Sequence, residues 1–211
     1  MARIRINASE KIPQELQKLY VYLSSTLAEA HESLCTLERL YMNKDVVALL
    51  NSTAPDFFVL VQELLVNNII LSIARLTDKP GSGRKPPQEN LTLSRLVLEL
   101  SEQKYPELHT RLDEKWKRIE KMSCPIRLYR HKLLAHADRV ECLKANTDLG
   151  EKITIKLIRE LLEQIAAFLN TFDFEFTNAE TDYPDLVRTH SDVANDLIAY
   201  LRRNVVKVAE K

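Results

Sequence analysis

The sequence predicts an all-α protein, an up-and-down bundle of about five to seven helices. Three observations predict it. Glycine is nearly absent, and Gly81, Gly83 and Gly150 all fall in segments that read as loops. Hairpins and tight strand turns lean on glycine, whereas helix interiors exclude it. Pro13, Pro55, Pro106, Pro125 and Pro184 each precede a helical pattern, the position where a missing N–H costs nothing. Leu16, Tyr20, Leu23, Leu27, Ala30, Leu34, Leu37 and Tyr41 are spaced alternately by four and three. That is a heptad seam, which favours long helices crossing at about 20° in a bundle.

The remaining elements follow in order. A second helix is expected from about Pro55 to Thr77. Its apolar stretch from Phe57 to Leu76 is broken by Gln62, Glu63, Asn67, Asn68 and Arg75, so it reads as a buried helix and not a membrane span. Asp78 to Asn90 holds two glycines and three prolines and reads as an exposed loop. Its Gly81-Ser82-Gly83-Arg84-Lys85 lacks the spacing of a phosphate loop and has no strand before it. A third helix from about Thr92 turns Leu93, Leu96, Val97 and Leu100 to one face. A fourth, after Pro106, buries Leu108, Leu112, Trp116 and Ile119. A short fifth is expected from Pro125 to about Ala137. After a polar loop through Gly150, a long helix from about Thr154 repeats Ile158, Leu161, Leu162, Ile165, Phe168 and Leu169 at helical spacing. Phe172, Phe174 and Phe176 alternate with period two and read either as an edge strand or as a frayed helix end. A last helix, from Pro184 or Ser191 to Asn204, turns Val193, Leu197, Tyr200 and Leu201 inward. The chain reads as one domain over 1–211, with a bundle core over about 10–170 and a C-terminal extension over about 171–211.

Composition narrows the function. With 211 residues of which 45% are apolar, the chain can bury a sizeable core. Its formal charge is zero, so the electrostatic footprint of a tight, non-specific nucleic-acid binder is missing. Charge is nevertheless uneven. Nine Lys or Arg face four Asp or Glu between Arg111 and Arg139, while seven acids face Arg188 alone between Asn170 and Asp196. Cys35, Cys124 and Cys142 show no CxxC spacing, which indicates neither a disulfide framework nor a zinc site and fits a reducing cytoplasm. The basic N-terminus lacks the apolar run of a signal peptide.

The most informative stretch is Arg130-His131-Lys132-Leu133-Leu134-Ala135-His136-Ala137-Asp138. Guanidinium holds phosphate oxygens with a fixed fork of donors, and imidazole both takes and gives a proton near neutral pH. Those are the two functions that metal-free RNA cleavage requires. An arginine and a histidine at this spacing arise by chance in a chain of this composition, so crowding carries more weight than spacing. Arg127, Arg130, His131, Lys132 and His136 share one short helix, and Asp138 is placed to orient an imidazole. Six residues along a helix give about 9 Å of rise and about 120° of rotation, so Arg130 and His136 do not share a face. A second copy of the helix, brought in by a two-fold axis, makes a denser cluster. Elsewhere the titratable residues are less informative. His31, His109 and His190 are isolated. His131 and His136 are five apart, not the three or four that place two metal ligands on one face. No Glu-x-x-His pair occurs. No cofactor and no metal are expected.

These residues resemble the HEPN superfamily signature: an arginine, a polar residue, three to five others, then a histidine. Arg75-Leu76-Thr77-Asp78, a variable loop, then Leu91-Thr92-Leu93-Ser94-Arg95-Leu96 is similar to the abortive-infection branch, and the resemblance spans roughly 15 to 170. It implies a metal-independent endoribonuclease that works as a homodimer with a composite active site, as a toxin or phage-defence component. Arg130 and His136 would be catalytic, with His131 as the polar residue and Arg127, Lys132 and Asp138 in support. His131 stands where the superfamily more often has asparagine or aspartate. RNA would be the substrate and a neutralising antitoxin a partner, in the cytoplasm and without a membrane. The alternative is a non-catalytic HEPN-like scaffold.

Overall fold

A computed structural model describes residues 6–81, 89–135, 150, 152–190 and 193–209. The described residues form an all-α bundle, with a single isolated bridge between Gly81 and Glu89 and no strand. Helix α1, Gln14–Tyr41, is the central element and packs against six of the helices described below. Its heptad residues from Leu16 to Leu37 are buried as expected, and at its end the Tyr41 hydroxyl donates to the Phe58 carbonyl at 2.6 Å.

Helix α2, Lys44–Thr53, is an element that sequence reading passed over. Asn43 caps it, its side chain accepting from the backbone N–H groups of Asp45 and Val46 at 2.9 and 3.4 Å. That cap satisfies orphan donors of the first turn. Helix α3, Pro55–Thr77, begins at its proline. Its C-terminal half is buried through Ile69, Ile70, Ile73, Ala74 and Leu76, but its N-terminal half is not: Phe57, Val59, Leu60 and Leu64 are exposed. The expectation of a helix buried along its length is therefore corrected. By length and composition α3 can cross a membrane, and 33% of its most apolar window is buried in the bundle.

The loop after α3 is closed at its base. Asn90 N–H donates to the Pro80 carbonyl at 3.0 Å, its side chain reaches the Lys79 carbonyl at 2.9 Å, and Arg95 donates to the Pro80 carbonyl at 2.7 Å. Helix α4, Leu93–Glu99, follows its Thr92 cap.

Helix α5 runs from Pro106 to Tyr129 and passes straight through Pro125, so the expected fourth and fifth helices are one. Proline removes a donor and presses its ring on the preceding turn. In the turn before it, Ser123 Oγ donates to the Glu120 carbonyl at 3.2 Å and Arg127 donates to the same oxygen at 3.0 Å. Core contacts of Ser123 and Ile126, both fully buried, hold the helix together across the proline. A π-helical turn, Arg130–Ala135, continues α5 directly.

Helix α6, Ile155–Thr177, starts at Thr154, whose hydroxyl accepts from Leu157 N–H at 3.1 Å. A Thr154→Ala variant should lose about 1 kcal/mol in urea unfolding. The helix includes Phe172 to Phe176, which settles the open question of that segment. Residues 172 and 176 are four apart and share a helical face, where Phe172 stacks on Tyr20 at 5.4 Å and Phe176 meets Tyr105 at 5.4 Å. Phe174, between them, is exposed. Asn178 ends the helix in the left-handed region at φ 56°, a conformation asparagine tolerates.

The expected last helix is two, α7 from Tyr183 to His190 and α8 from Val193 to Ala209. In α8 Val193 and Tyr200, both expected inward, are exposed, and the buried positions are Ala194, Ile198 and Leu201. These residues join Leu40, Val46, Leu50 and Phe58 in a small second core at the junction of α1, α2 and α3. The main core lies between α1, α3, α4, α5 and α6 and is closed by Tyr183 of α7.

Candidate functional site

The C-terminal ends of α3 and α5 meet, and the first half of the arginine–histidine stretch lies at that meeting. A helix C-terminus presents carbonyls without partners and a partial negative charge. At the end of α3, the Asp78 N–H bonds to the Ala74 carbonyl at 2.8 Å, and the buried Thr77 hydroxyl donates to the Ile73 carbonyl at 2.8 Å. Asp78 itself takes an extended backbone and adds a carboxylate at the negative end of the helix, where like sign is unfavourable.

Two arginines, one from the last turn of α5 and one at the head of the π turn, offset this. Arg127 donates through one nitrogen to the Thr77 carbonyl at 3.0 Å and through the other to the Glu120 carbonyl at 3.0 Å. Its guanidinium is therefore a brace between α5 and α3. Arg130 donates through Nη2 to the Asp78 carboxylate. The pair is partly open, with side chains 26% and 31% exposed. Among the described residues the Nε and Nη1 hydrogens of Arg130 meet no acceptor. A guanidinium offers a second donor edge once one is engaged, so Arg130 can hold a phosphate oxygen without releasing Asp78.

The π turn carries the rest of the stretch. Its hydrogen bonds reach one residue further than those of an α-helix, and such turns occur frequently at functional sites. His131 is exposed on it, Lys132 is half-buried, and Leu134 packs on the main core. His136 and Asp138 lie outside the described residues. Of the sequence candidates, then, the fold brings together Arg127, Arg130, His131 and Lys132.

Asp78 is the partner that sequence reading underrated. It is 52 residues from Arg130, and the only signal for it was its place after Arg75-Leu76-Thr77 at the end of a helix. Stability measurements should rank these contacts. The Arg130–Asp78 pair is partly solvated, so Asp78→Ala should cost at most about 1 kcal/mol. Arg127→Ala removes the donor to the Thr77 carbonyl and one of two side-chain donors to the Glu120 carbonyl and should cost about 1–3 kcal/mol. Urea midpoints that reverse this order would contradict the assignment.

A buried histidine lies away from this site. His31 of α1 stacks on Tyr183 at 6.1 Å, and burial pulls its pKa down to about 4, with Asp182 partly opposing. A cavity of about 220 Å³ beside it is lined by Leu34, Cys35, Glu38, Arg159 and Glu163 among others, none from the end of α5. No curated protein and no solved structure matches the chain with significance. One family model does, over residues 13–197. By that match the chain belongs to AbiU2, a HEPN-type family of abortive-infection proteins.

Proposed function

We propose that this AbiU2-family chain is a metal-independent endoribonuclease, a toxin or phage-defence effector that acts as a homodimer with a composite active site and is held by a neutralising antitoxin. The observation that supports this reading is the setting of Arg130. Its guanidinium is fixed at the head of a π turn by Asp78, with donors still unengaged beside His131 and Lys132. A fixed cation with spare donors is what a phosphodiester in transit to a five-coordinate phosphorus needs.

In this reading His136 takes the proton of a ribose 2′-hydroxyl, or gives one to the departing 5′-oxygen. The 2′-oxygen bonds to the adjacent phosphorus, the bond from phosphorus to the 5′-oxygen breaks, and the products carry a 2′,3′-cyclic phosphate and a 5′-hydroxyl. Arg130 stabilises the added negative charge. DNA lacks the nucleophile. Incubation of the purified protein with single-stranded RNA in EDTA, followed by end-group analysis, tests it. Cyclic phosphate ends on RNA, with DNA intact, are expected.

A second reading has its own support. Both Arg127 and Arg130 already serve the end of α3, as they would in a non-catalytic HEPN scaffold where the cations complete a helix terminus. RNA bound but uncut in the same assay would favour that reading over cleavage.

A further inference from the structure

The acid-rich stretch between Asn170 and Asp196 runs beside two cavities that share a wall. One, of about 220 Å³, lies where α1, α6 and α7 meet and is lined by His31, Leu34, Glu163 and Val187 among others. The other, of about 550 Å³, takes in Lys115, Glu180 and Asp182. Glu163 and Pro184 belong to both. His31 is the unexplained group on these walls. The residue is only 8% exposed, and its Nε2 is buried with no hydrogen-bond partner, which folded proteins seldom tolerate. Tyr183 stacks on the ring at 6.1 Å and fixes its plane. Burial pulls the pKa of His31 down to about 4 against the opposing charge of Asp182. At neutral pH the ring is therefore uncharged, and one of its nitrogens accepts a hydrogen bond.

We propose that the smaller cavity binds a small organic amine, in its ammonium form, with an apolar stem. Charge selects the sign of the ligand. Glu38 and Glu163 line the cavity against Arg159 alone, and Arg159 donates through Nε to Glu38 at 2.6 Å. Glu163 is left with no ion-pair partner among the described residues, so a cation is attracted and an anion repelled. An inorganic cation lacks a ligand set, because no group of three His, Cys, Asp or Glu among the described residues could hold a metal ion. An ammonium has three donors, which suits the Glu163 carboxylate and the unpartnered imidazole together. Size and lining select the stem. Leu34, Pro184 and Val187 give the cavity an apolar wall, and a cavity of about 150 Å³ already admits a benzene ring. An apolar wall with a few placed polar groups is the usual make-up of a small-molecule site.

Such a ligand joins three helices. Its ammonium bridges His31 of α1 and Glu163 of α6, and its stem lies against Val187 of α7. A group that binds only the folded chain stabilises it by mass action. None of these residues takes part in the proposed cleavage, so the amine site stands apart from that chemistry.

Benzylamine titrated into the full chain at neutral pH, and followed through the imidazole resonances of its five histidines, tests the proposal. The His31 resonance, assigned by its absence from His31→Leu, should shift and saturate at millimolar benzylamine or below. Benzoate and benzyl alcohol at the same concentrations should leave it in place. Glu163→Gln changes an exposed side chain and keeps its shape while removing the charge. It should raise the benzylamine dissociation constant about tenfold, with the far-UV circular dichroism unchanged. Saturating benzylamine should also raise the urea midpoint of the wild type more than that of Glu163→Gln. Three results would overturn the proposal: a His31 resonance that does not saturate, benzoate binding as tightly as benzylamine, or a Glu163→Gln protein with undiminished affinity.

Discussion

Replacing Arg130 with alanine should slow RNA cleavage in EDTA by about 10²–10³-fold, the loss usual when one preorganised donor to a developing oxyanion is removed. Arg130→Lys should restore only part of the rate, because an ammonium keeps the charge but not the two-edged fork. One edge of that fork is committed to Asp78. A lysine therefore has to choose between the carboxylate and the phosphate, where arginine serves both. His136→Ala should cost about 10²–10⁴-fold, as expected for a general acid or base. Single-turnover rates with circular dichroism as the folding control separate the two readings of the site. A variant that cuts at the wild-type rate but unfolds at lower urea would make Arg130 a ligand of the α3 terminus and nothing more.

The second large effect is on stability. His31 is buried, its Nε2 has no hydrogen-bond partner, and its folded pKa lies near 4. In the unfolded chain the same imidazole takes its proton at about 6.5. The sign follows from linkage. Above pH 6.5 the ring is neutral in both states and costs nothing extra. As pH falls from 6.5 towards 4, protons bind the unfolded chain first, and stability is lost progressively. The full difference amounts to about 3 kcal/mol, with the nearby Asp182 carboxylate limiting it. His31→Leu should flatten the urea midpoint between pH 6.5 and 4, and should also gain from removing an unpartnered polar atom. Equal pH slopes for the two proteins would mean that His31 is protonated in the fold.

The fold was legible where local chemistry decides it. The four-and-three spacing of α1, the prolines at α3 and α5, and the caps Thr92 and Thr154 each specify an element within a turn or two. Sequence reading failed where the decision is made at longer range. Pro125 breaks a helix by local rules, yet the burial of Ser123 and Ile126 in the core carries α5 through it. The phenylalanines of 172 to 176 alternate like a strand, and only their packing on Tyr20 and Tyr105 decides for helix. The apolar run of α3 was read as core because composition alone does not reveal which of its residues face the bundle.

The site divides in the same way. Crowding of basic side chains on one segment, together with the resemblance to the HEPN signature, made Arg130 a candidate, while its partner candidate His136 lies outside the described residues. That Arg130 would be bound to Asp78, and that Arg127 would brace the Thr77 carbonyl, depends on two helix ends meeting in space. No spacing within the chain encodes that meeting.

A double-mutant cycle of Arg130→Ala and His136→Ala on the single-turnover cleavage rate, in EDTA, is the most direct examination of the proposed chemistry. Groups that act on one transition state are strongly non-additive. If guanidinium and imidazole serve the same phosphodiester, the double variant should be scarcely slower than the slower single variant. Cleavage at the wild-type rate by the His136→Ala protein, or by the double variant, would contradict the account outright.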